Sequence, residues 1–180
     1  TGCLEEYRDA INALNVFPVP DGDTGTNMLL TLKAVVQAAN DIPGSAISNV
    51  ANAAAHGALL GARGNSGVIF SQFLRGIART FEGHADADAG LLAAAFTEGG
   101  IATYRAVINP VEGTMLTVIH RTAEAMQSAS SSPDIDITCV LEAVLDAAQD
   151  AVAQTPSQLP VLKAAGVVDA GGQGYSLMLD

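Results

Sequence analysis

Two carboxylates stand one residue apart in a turn near the start of the chain, within NVFPVPDGDTGTNM, which runs from Asn15 to Met28. They belong to Asp21 and Asp23, and the glycines beside them favour a tight turn. Alternating aspartates in a turn can direct both carboxylates at one hard cation, and such oxygen ligands suit Mg2+ or Ca2+. The stretch lacks the later ligand positions and the final Glu of an EF-hand loop. An Asp-rich turn that only caps the next helix is the alternative interpretation.

A second motif, GARGNSG at residues 61–67, precedes a stretch with strong helical periodicity. Asn65 or Ser66 could cap that helix, and its free N–H groups with the positive end of its dipole would form an anion-binding cradle. The motif is not a Walker loop, because it has no Lys-Ser/Thr pair. It is not a dinucleotide-binding fingerprint, since no strand precedes it. A plain turn between two helices remains the alternative.

Two weaker motifs follow later in the chain. PVEGTML at residues 110–116 again places a turn before a helix start, with Thr114 as a cap or polar anchor. VVDAGGQG at residues 167–174 is predicted to be a flexible tail segment with one carboxylate, that of Asp169. Taken singly, each is explained by structure alone.

Other reactive side chains show no site-forming pattern. The three histidines are scattered without ligand spacing, so structural or exposed positions are predicted for His56, His84 and His120. Cys3 and Cys139 lie far apart and have neither metal spacing nor a disulfide framework, which favours a reducing cytoplasm. No Ser/His/Asp or Cys/His constellation can be assembled.

Charge limits the classes of partner. Eight Lys and Arg residues against 19 Asp and Glu give a net charge of -11, which argues against binding to nucleic acids or to anionic membranes, because both require a basic surface. An acidic protein can still bind an anion such as a nucleotide. It must then use backbone N–H groups, helix N-termini or metal ions in place of basic side chains.

The length of 180 residues fits one domain spanning 1–180, and 49% apolar residues are enough for a sizeable core. No signal peptide and no apolar run long enough for a membrane span are found. Because the chain starts at Thr1 without Met and stops in an apolar stretch, we expect an N-terminal fragment of a longer protein.

Helical periodicity dominates the chain and predicts an all-α domain of seven to nine helices, without strands or repeats. Short helices are expected before Asn15 and after Gln158, and residues 128–133 are predicted to form a loop. Many of the 18 glycines cluster in four places, which favours loops that bring the backbone close to a ligand. These clusters are Gly22 and Gly25, then Gly57, Gly61, Gly64 and Gly67, then Gly99 and Gly100, and finally Gly171, Gly172 and Gly174. The main predicted helices are Met28–Ala39, Ile47–Leu60, Val68–Phe81, Leu91–Val107, Thr114–Met126 and Ile137–Val152.

Together, four stretches between about Leu14 and Gly174 resemble the nucleotide-binding (DAK2 or DhaL-like) domain of the bacterial fatty acid kinase family, itself similar to the L subunit of dihydroxyacetone kinase. The long proline-rich form of the first stretch favours the fatty acid kinase branch. The dihydroxyacetone kinase branch usually has His where Thr24 stands and lacks the double-proline lead-in. The four stretches are ALNVFPVPDGDTGTNM, GARGNSGVIFSQFLRG, NPVEGTMLTVI and LPVLKAAGVVDAGGQG.

The resemblance implies an antiparallel barrel of eight helices with the nucleotide at one end. It implies that Asp21 and Asp23 are the catalytic residues and bind a pair of Mg2+ ions that bridge the phosphates of ATP or ADP. A third aspartate of the dihydroxyacetone kinase branch falls nearest to Asn15, whose carbonyl could ligate Mg2+ without adding charge.

The same resemblance implies the nucleotide contacts. Thr24 and Asn27 would bind the nucleotide, with Asn27 reaching a phosphate. Backbone N–H groups and a hydroxyl for the phosphates would come from Gly64, Asn65, Ser66 and Gly67. Thr114, Met115 and Leu116 would shape the adenine pocket, and Asp169 and Gly171 match a tail motif that closes over the nucleotide.

The implied activity is transfer of the γ-phosphate of Mg-ATP to a fatty acid carboxylate, giving an acyl phosphate for phospholipid synthesis. In this family a separate fatty-acid-binding carrier protein presents the acid, and full-length members carry further domains, so the fragment alone could be inactive. Two alternatives stay open. One is a dihydroxyacetone-kinase-type subunit acting on a small ketose, and the other is a non-catalytic helical module that senses nucleotide or Mg2+.

Overall fold

The computed structural model describes residues 2–42, 46–131 and 136–180. Within these ranges the regular secondary structure is entirely helical, which confirms the predicted all-α class. The described helices are α1 (Gly2–Ala13), α2 (Thr24–Asn40), α3 (Ile47–Gly61), α4 (Gly64–Thr80), α5 (Ala89–Ala106), α6 (Met115–Ala129), α7 (Ile137–Gln158), α8 (Pro160–Ala165) and α9 (Ala170–Leu179).

Two helices begin about one turn earlier than their periodicity predicts. Residues 24–27 of the first motif and residues 64–67 of the second form the opening turns of α2 and α4, whereas Asp21 and Asp23 precede α2. The prediction that Asn65 or Ser66 caps α4 is therefore wrong, because Arg63 occupies the N-cap position. Thr114 is confirmed as the N-cap of α6.

Later boundaries also shift. Helix α7 continues past Val152 to Gln158 with Pro156 inside it. Helix α6 reaches Ala129, so the predicted loop at 128–133 starts too early, and its residues 132 and 133 lie outside the described part of the chain. The expected short helices are α1 before Asn15, and α8 and α9 after Gln158.

The helix contacts run around a circuit. From α1 to α7 each helix packs against the next, while α9 packs against both α7 and α1, and the six-residue α8 packs against α7. Short connections make neighbours antiparallel, so alternate connections lie at the same end. The connections α1–α2, α3–α4, α5–α6 and α7–α9 therefore share one end, and these are the segments that carry the four motifs.

The last helix supplies the centre of the core. Tyr175 of α9 is 1% exposed, and its ring meets the ring of Phe73 in an edge-to-face contact with centroids 5.5 Å apart. Its hydroxyl forms a 3.0 Å hydrogen bond with Thr122, so the buried polar group is satisfied. These contacts tie α9 to α4 and α6 and fix the motif-bearing end of the molecule.

Many glycines pack helices together and lie outside loops, which corrects the prediction. A Cβ on Gly61 of α3 would stand 2.2 Å from the Cβ of Ala34, and one on Gly99 would stand 2.7 Å from the Phe73 ring. These glycines allow helix axes to approach closely. Gly22, Gly64 and Gly113, with φ of 68°, 60° and 79°, have left-handed backbone conformations within the first three motifs.

A helix that crosses the hydrocarbon core of a bilayer needs about 20 predominantly apolar residues. Across the three described ranges, none of them has both the length and the apolar character needed to cross a membrane.

Candidate functional site

A cavity of about 570 Å³ opens at the end of the molecule where the four motifs meet. It draws its lining from all four motifs, although these are spread across the whole chain. Every predicted site residue except Gly67 contributes to it. Those residues are Asn15, Asp21, Asp23, Thr24, Asn27, Gly64, Asn65, Ser66, Thr114, Met115, Leu116, Asp169 and Gly171.

Gly67 has a different part. It is buried, and its N–H donates to the Arg63 carbonyl at 3.0 Å. A Cβ at this position would stand 2.5 Å from the hydroxyl oxygen of Thr31 on α2. The structure thus supports packing of α4 on α2, and not phosphate binding, as the contribution of Gly67.

The loop before α2 presents its two carboxylates to solvent. Asp21 and Asp23 are both exposed, and Asp21 accepts a 2.9 Å hydrogen bond from Nδ2 of Asn15. Asp23 stands at the N-cap of α2, yet its side chain makes no capping hydrogen bond. The alternative that Asp23 serves only as a helix cap therefore loses its physical basis.

The buried side chain of Asn15 stabilises this loop through hydrogen bonds. It is 7% exposed, and its amide nitrogen donates to the Val19 carbonyl at 2.7 Å as well as to Asp21. Its amide oxygen accepts a hydrogen bond from the hydroxyl of Thr24. The opposite amide orientation would set oxygen against two acceptors, so the network fixes the orientation. Asn15 thus holds Asp21 in place, and its proposed part as a third metal ligand has no direct support.

The donor set fits a metal that is shared with a ligand. Among the described residues, no group of three or more His, Cys, Asp or Glu side chains converges as a complete metal site. Mg2+ usually binds through one or two carboxylates, with waters and substrate phosphates completing its shell. Asp21 and Asp23 at the mouth of the cavity match that incomplete type of site.

The first turn of α4 faces the cavity without a cap. Arg63 at its N-cap makes no side-chain capping bond, and within the described residues the N–H groups of Gly64, Asn65 and Ser66 have no acceptor. Such N–H groups at a helix N-terminus bind anions. Gly64 lies against Asn27, because a Cβ there would stand 2.5 Å from Nδ2 of that side chain.

Asp169 lines the cavity at the start of α9. It is 5% exposed and caps α9 by accepting from the N–H of Gly172 at 2.7 Å, while the N–H groups of Gly171 and Met115 also face it. Burial raises the pKa of Asp169 to about 6, against the lowering effect of those N–H groups. The predicted flexible tail is thus the ordered start of a helix that contacts the start of α6.

An apolar rim, Val19, Val68 and Ile108, was missed by sequence reasoning. These three residues line the cavity and are nonetheless 58%, 46% and 94% exposed. The sequence signal that could have indicated this rim is the presence of apolar residues near the prolines and glycines of the motifs. Further lining residues that were missed are Phe17, Pro18, Ile69, Ala106, Val107, Asn109 and Val111.

The cavity has no basic side chain among the described residues that line it, while it holds the carboxylates of Asp21, Asp23 and Asp169. The histidines lie elsewhere and are exposed, and the two cysteines are free and exposed. An anion could be held here only by backbone N–H groups, hydroxyls, amides and a cation bound at the carboxylates.

Comparison with known proteins identifies the family. The model of the DAK2 domain matches residues 18–180. The chain is 44% identical to Protein YloV of Bacillus subtilis over 171 residues, which are 95% of this chain and 31% of that protein. It is 40% identical to an uncharacterized protein of Staphylococcus saprophyticus, with 97% of this chain and 32% of that protein covered.

An uncharacterized protein of Staphylococcus aureus is also 40% identical, over 95% of this chain and 31% of its own length. The chain thus spans about a third of the length of these relatives. It belongs to the DAK2 domain family, which is related to the dihydroxyacetone kinases.

Proposed function

We propose that this DAK2 domain binds Mg-ATP in the cavity at the motif-bearing end and transfers the γ-phosphate to a carboxylate. The acceptor is a fatty acid held by a carrier protein, and the product is an acyl phosphate. In this transfer a carboxylate oxygen bonds to the γ-phosphorus while the bond from that phosphorus to the bridging oxygen of ADP breaks.

One observation carries the proposal. The cavity combines an uncapped helix start with two solvent-facing carboxylates and lacks basic side chains. Neither feature alone would hold a polyphosphate, because the carboxylates repel it and three N–H groups cannot neutralise its charge. Together they suit a phosphate chain that arrives with Mg2+, which when bound neutralises charge and orients the phosphates.

The proposed roles differ with the chemistry of each side chain. Asp21 and Asp23 would hold Mg2+, and Asn15 and Thr24 would keep that loop in shape through their hydrogen bonds. The N–H groups of Gly64, Asn65 and Ser66 would bind phosphate oxygens. Asn27, which packs against Gly64 and lines the cavity, would donate from its amide to a phosphate.

The apolar part of the cavity suits the base. Met115 and Leu116 are 3% and 2% exposed and belong to the well-packed start of α6. With Thr114 they would shape the adenine pocket, and Asp169 and Gly171 would close its far side. Such a site needs shape and apolar contact rather than charge.

The acceptor must reach the phosphates through the mouth of the cavity. The apolar rim lies there, and exposed apolar side chains favour contact with a partner over free solvent. This supports delivery of the acid by a protein. The carrier, the acyl group and the contribution of further domains remain proposals that rest on the family resemblance.

The test is calorimetric titration of the chain with ATP and with ADP, first in Mg2+ and then in EDTA. We expect binding in Mg2+ that disappears in EDTA. Equal affinity in both conditions would contradict the metal-bridged site, and no binding in either would contradict the nucleotide site.

A second assay separates the acceptors. Radiolabelled γ-phosphate from ATP is followed with a loaded fatty-acid carrier, with dihydroxyacetone and with buffer alone. Label in an acid-labile acyl phosphate supports the proposed reaction. Label only on dihydroxyacetone supports the ketose kinase. Nucleotide binding without any transfer, in this chain and in a full-length relative alike, supports the non-catalytic module.

A further inference from the structure

We propose that Thr31 is a positioning residue that holds the start of α4 in its anion-binding arrangement. This inference rests on the proposed function and adds a residue that does not itself line the cavity. The motifs gave no hint of it, because Thr31 lies within α2, beyond the last residue of the first motif.

The Thr31 hydroxyl joins two segments that are distant in sequence. The side chain is 0% exposed, and its oxygen donates to the carbonyl of Asn27 at 2.8 Å. The same oxygen accepts the backbone N–H of Arg63 at 3.1 Å. One hydroxyl thus contacts the cavity residue Asn27 through its backbone and the N-cap residue of α4 through its N–H.

The packing around this hydroxyl leaves little freedom. The carbonyl of Gly61 lies 3.5 Å away, and a Cβ on Gly67 would approach the oxygen to 2.5 Å. The hydroxyl is therefore enclosed by the end of α3 on one side and the first turn of α4 on the other. With its single proton given to Asn27, its lone pairs are left to accept from Arg63.

The consequence concerns the direction of three N–H groups. Arg63 has no side-chain cap to fix the entry of α4, so the contact with Thr31 is the bond that sets where this helix begins. Gly64, Asn65 and Ser66 follow directly. Small displacements of groups that bind a reacting phosphate cause large losses, because their contribution depends on position.

A second threonine repeats this arrangement at the other side of the cavity. Thr155 of α7 is 0% exposed, donates to the Val152 carbonyl at 2.7 Å and accepts the N–H of Asp169 at 3.0 Å. Thr103 of α5 offers a contrast: it is equally buried and donates to the Gly100 carbonyl, but within the described part of the chain it accepts no N–H from a neighbouring turn. Thr103 is therefore a matched control.

The test compares Thr31→Val, which keeps the volume and loses the acceptor, with Thr31→Ser, which keeps the hydroxyl, and with Thr103→Val. Titration with Mg-ADP measures the affinity, and amide hydrogen exchange measures protection of the Arg63 N–H. We expect Thr31→Val to weaken binding about tenfold or more and to speed exchange at Arg63, since an N–H loses its partner. Thr31→Ser and Thr103→Val should stay within about threefold of the wild type.

Each outcome decides the proposal. Wild-type affinity in folded Thr31→Val, equal losses in both valine variants, or failure of serine to restore binding would overturn it while the proposed function stands. A wild-type protein that binds no Mg-ADP would overturn the proposed function, and this inference with it. If valine prevents folding, Thr31→Ala removes the same hydroxyl and must show the same loss.

Discussion

Helix starts line the cavity in two pairs, and the pairs differ in whether the N-cap side chain accepts an N–H group. On one side, α2 and α4 begin without a side-chain capping bond from their N-cap residues, although Asn12 on α1 accepts the N–H of Thr26 in the first turn of α2. On the other, α6 and α9 begin with Thr114 and Asp169, whose side chains accept N–H groups of their own helices. Four helix starts thus form an open pair and a closed pair.

The difference indicates which part of a ligand each pair can serve. An open start retains donors that need an acceptor, and the charged end of a ligand can supply it. In a closed start the capping side chain already accepts an N–H group of the helix, so the ligand meets mainly apolar surface. The open pair therefore suits phosphates with their cation, and the closed pair suits the base.

The largest expected effect lies in the open pair. Asp21→Asn or Asp23→Asn should lower Mg-dependent ATP affinity by at least about a hundredfold, since even residues that only support metal ligands contribute about ten- to hundredfold. Both carboxylates are exposed, so thermal unfolding should not change. Titration calorimetry checks this, with Asp146→Asn on the exposed face of α7 as control. Retained affinity in a folded variant would refute the assignment of the metal ligands.

The next effect tests the closed pair through pH. The pKa of Asp169 is raised from 3.8 to about 6, so its contribution to the free energy of unfolding is fully present below about pH 4. That contribution is lost as pH rises through about 6, because the folded protein favours the protonated carboxyl. Asn stays neutral and can still cap, so Asp169→Asn should exceed the wild type in stability at pH 8 by up to about 3 kcal/mol.

Urea unfolding at pH 4 and pH 8 measures this difference. Asp88→Asn, at the exposed N-cap of α5, shows the effect of the same substitution at a solvated cap. A variant of Asp169 that is less stable than the wild type at both pH values would mean that the ionised carboxylate stabilises the closed pair.

Alanine substitutions at two glycines with positive φ distinguish the effect of backbone strain from the effect of a displaced site residue. Gly64 and Gly83 have φ of 60° and 79°, but a Cβ meets Asn27 only at Gly64, whereas Gly83 has open space. Alanine at either position should cost roughly 1–2 kcal/mol of stability. Gly64→Ala alone should also weaken ATP binding about tenfold, because it displaces Asn27. Equal affinities in the two variants would show that Asn27 and the α4 start tolerate displacement.

The smallest effects compare one hydroxyl from each pair. Ser66 makes no side-chain hydrogen bond within the described residues, so Ser66→Ala should leave stability unchanged and weaken ATP binding by about 1–2 kcal/mol. Thr114 caps α6, and Thr114→Ala should lower the free energy of unfolding by about 1 kcal/mol with less effect on binding. Denaturant unfolding and calorimetry on both variants would detect a reversed pattern, which would contradict the division into open and closed pairs.

Much of the site could be predicted because its parts are local. Each motif lies where a connection meets a helix start, and polar residues with glycines mark such places. The all-α class followed from periodicity. The helix starts of α2 and α4 were placed a turn late because their first turns consist of residues that are also typical of loops, such as Gly64, Asn65 and Ser66.

What escaped prediction depends on partners far along the chain. Thr31 and Thr155 resemble any other threonine in a helix until the turns that contact them are known. Burial of Asp169 has the same origin, since it requires α6 and α9 to meet. The glycines were misinterpreted for a related reason: only the neighbouring helix shows whether a missing side chain serves a turn or a close contact.

The position of α9 has a consequence for how the chain is made. This helix is translated after the others, yet it contacts α1 and carries the buried Tyr175. Ribosomal synthesis therefore leaves the circuit open, with an unfilled core, until α9 has emerged. Contacts between such distant segments slow folding, because a long loop must close before they form. Until α9 has emerged, the nascent chain exposes apolar surface to which chaperones would bind.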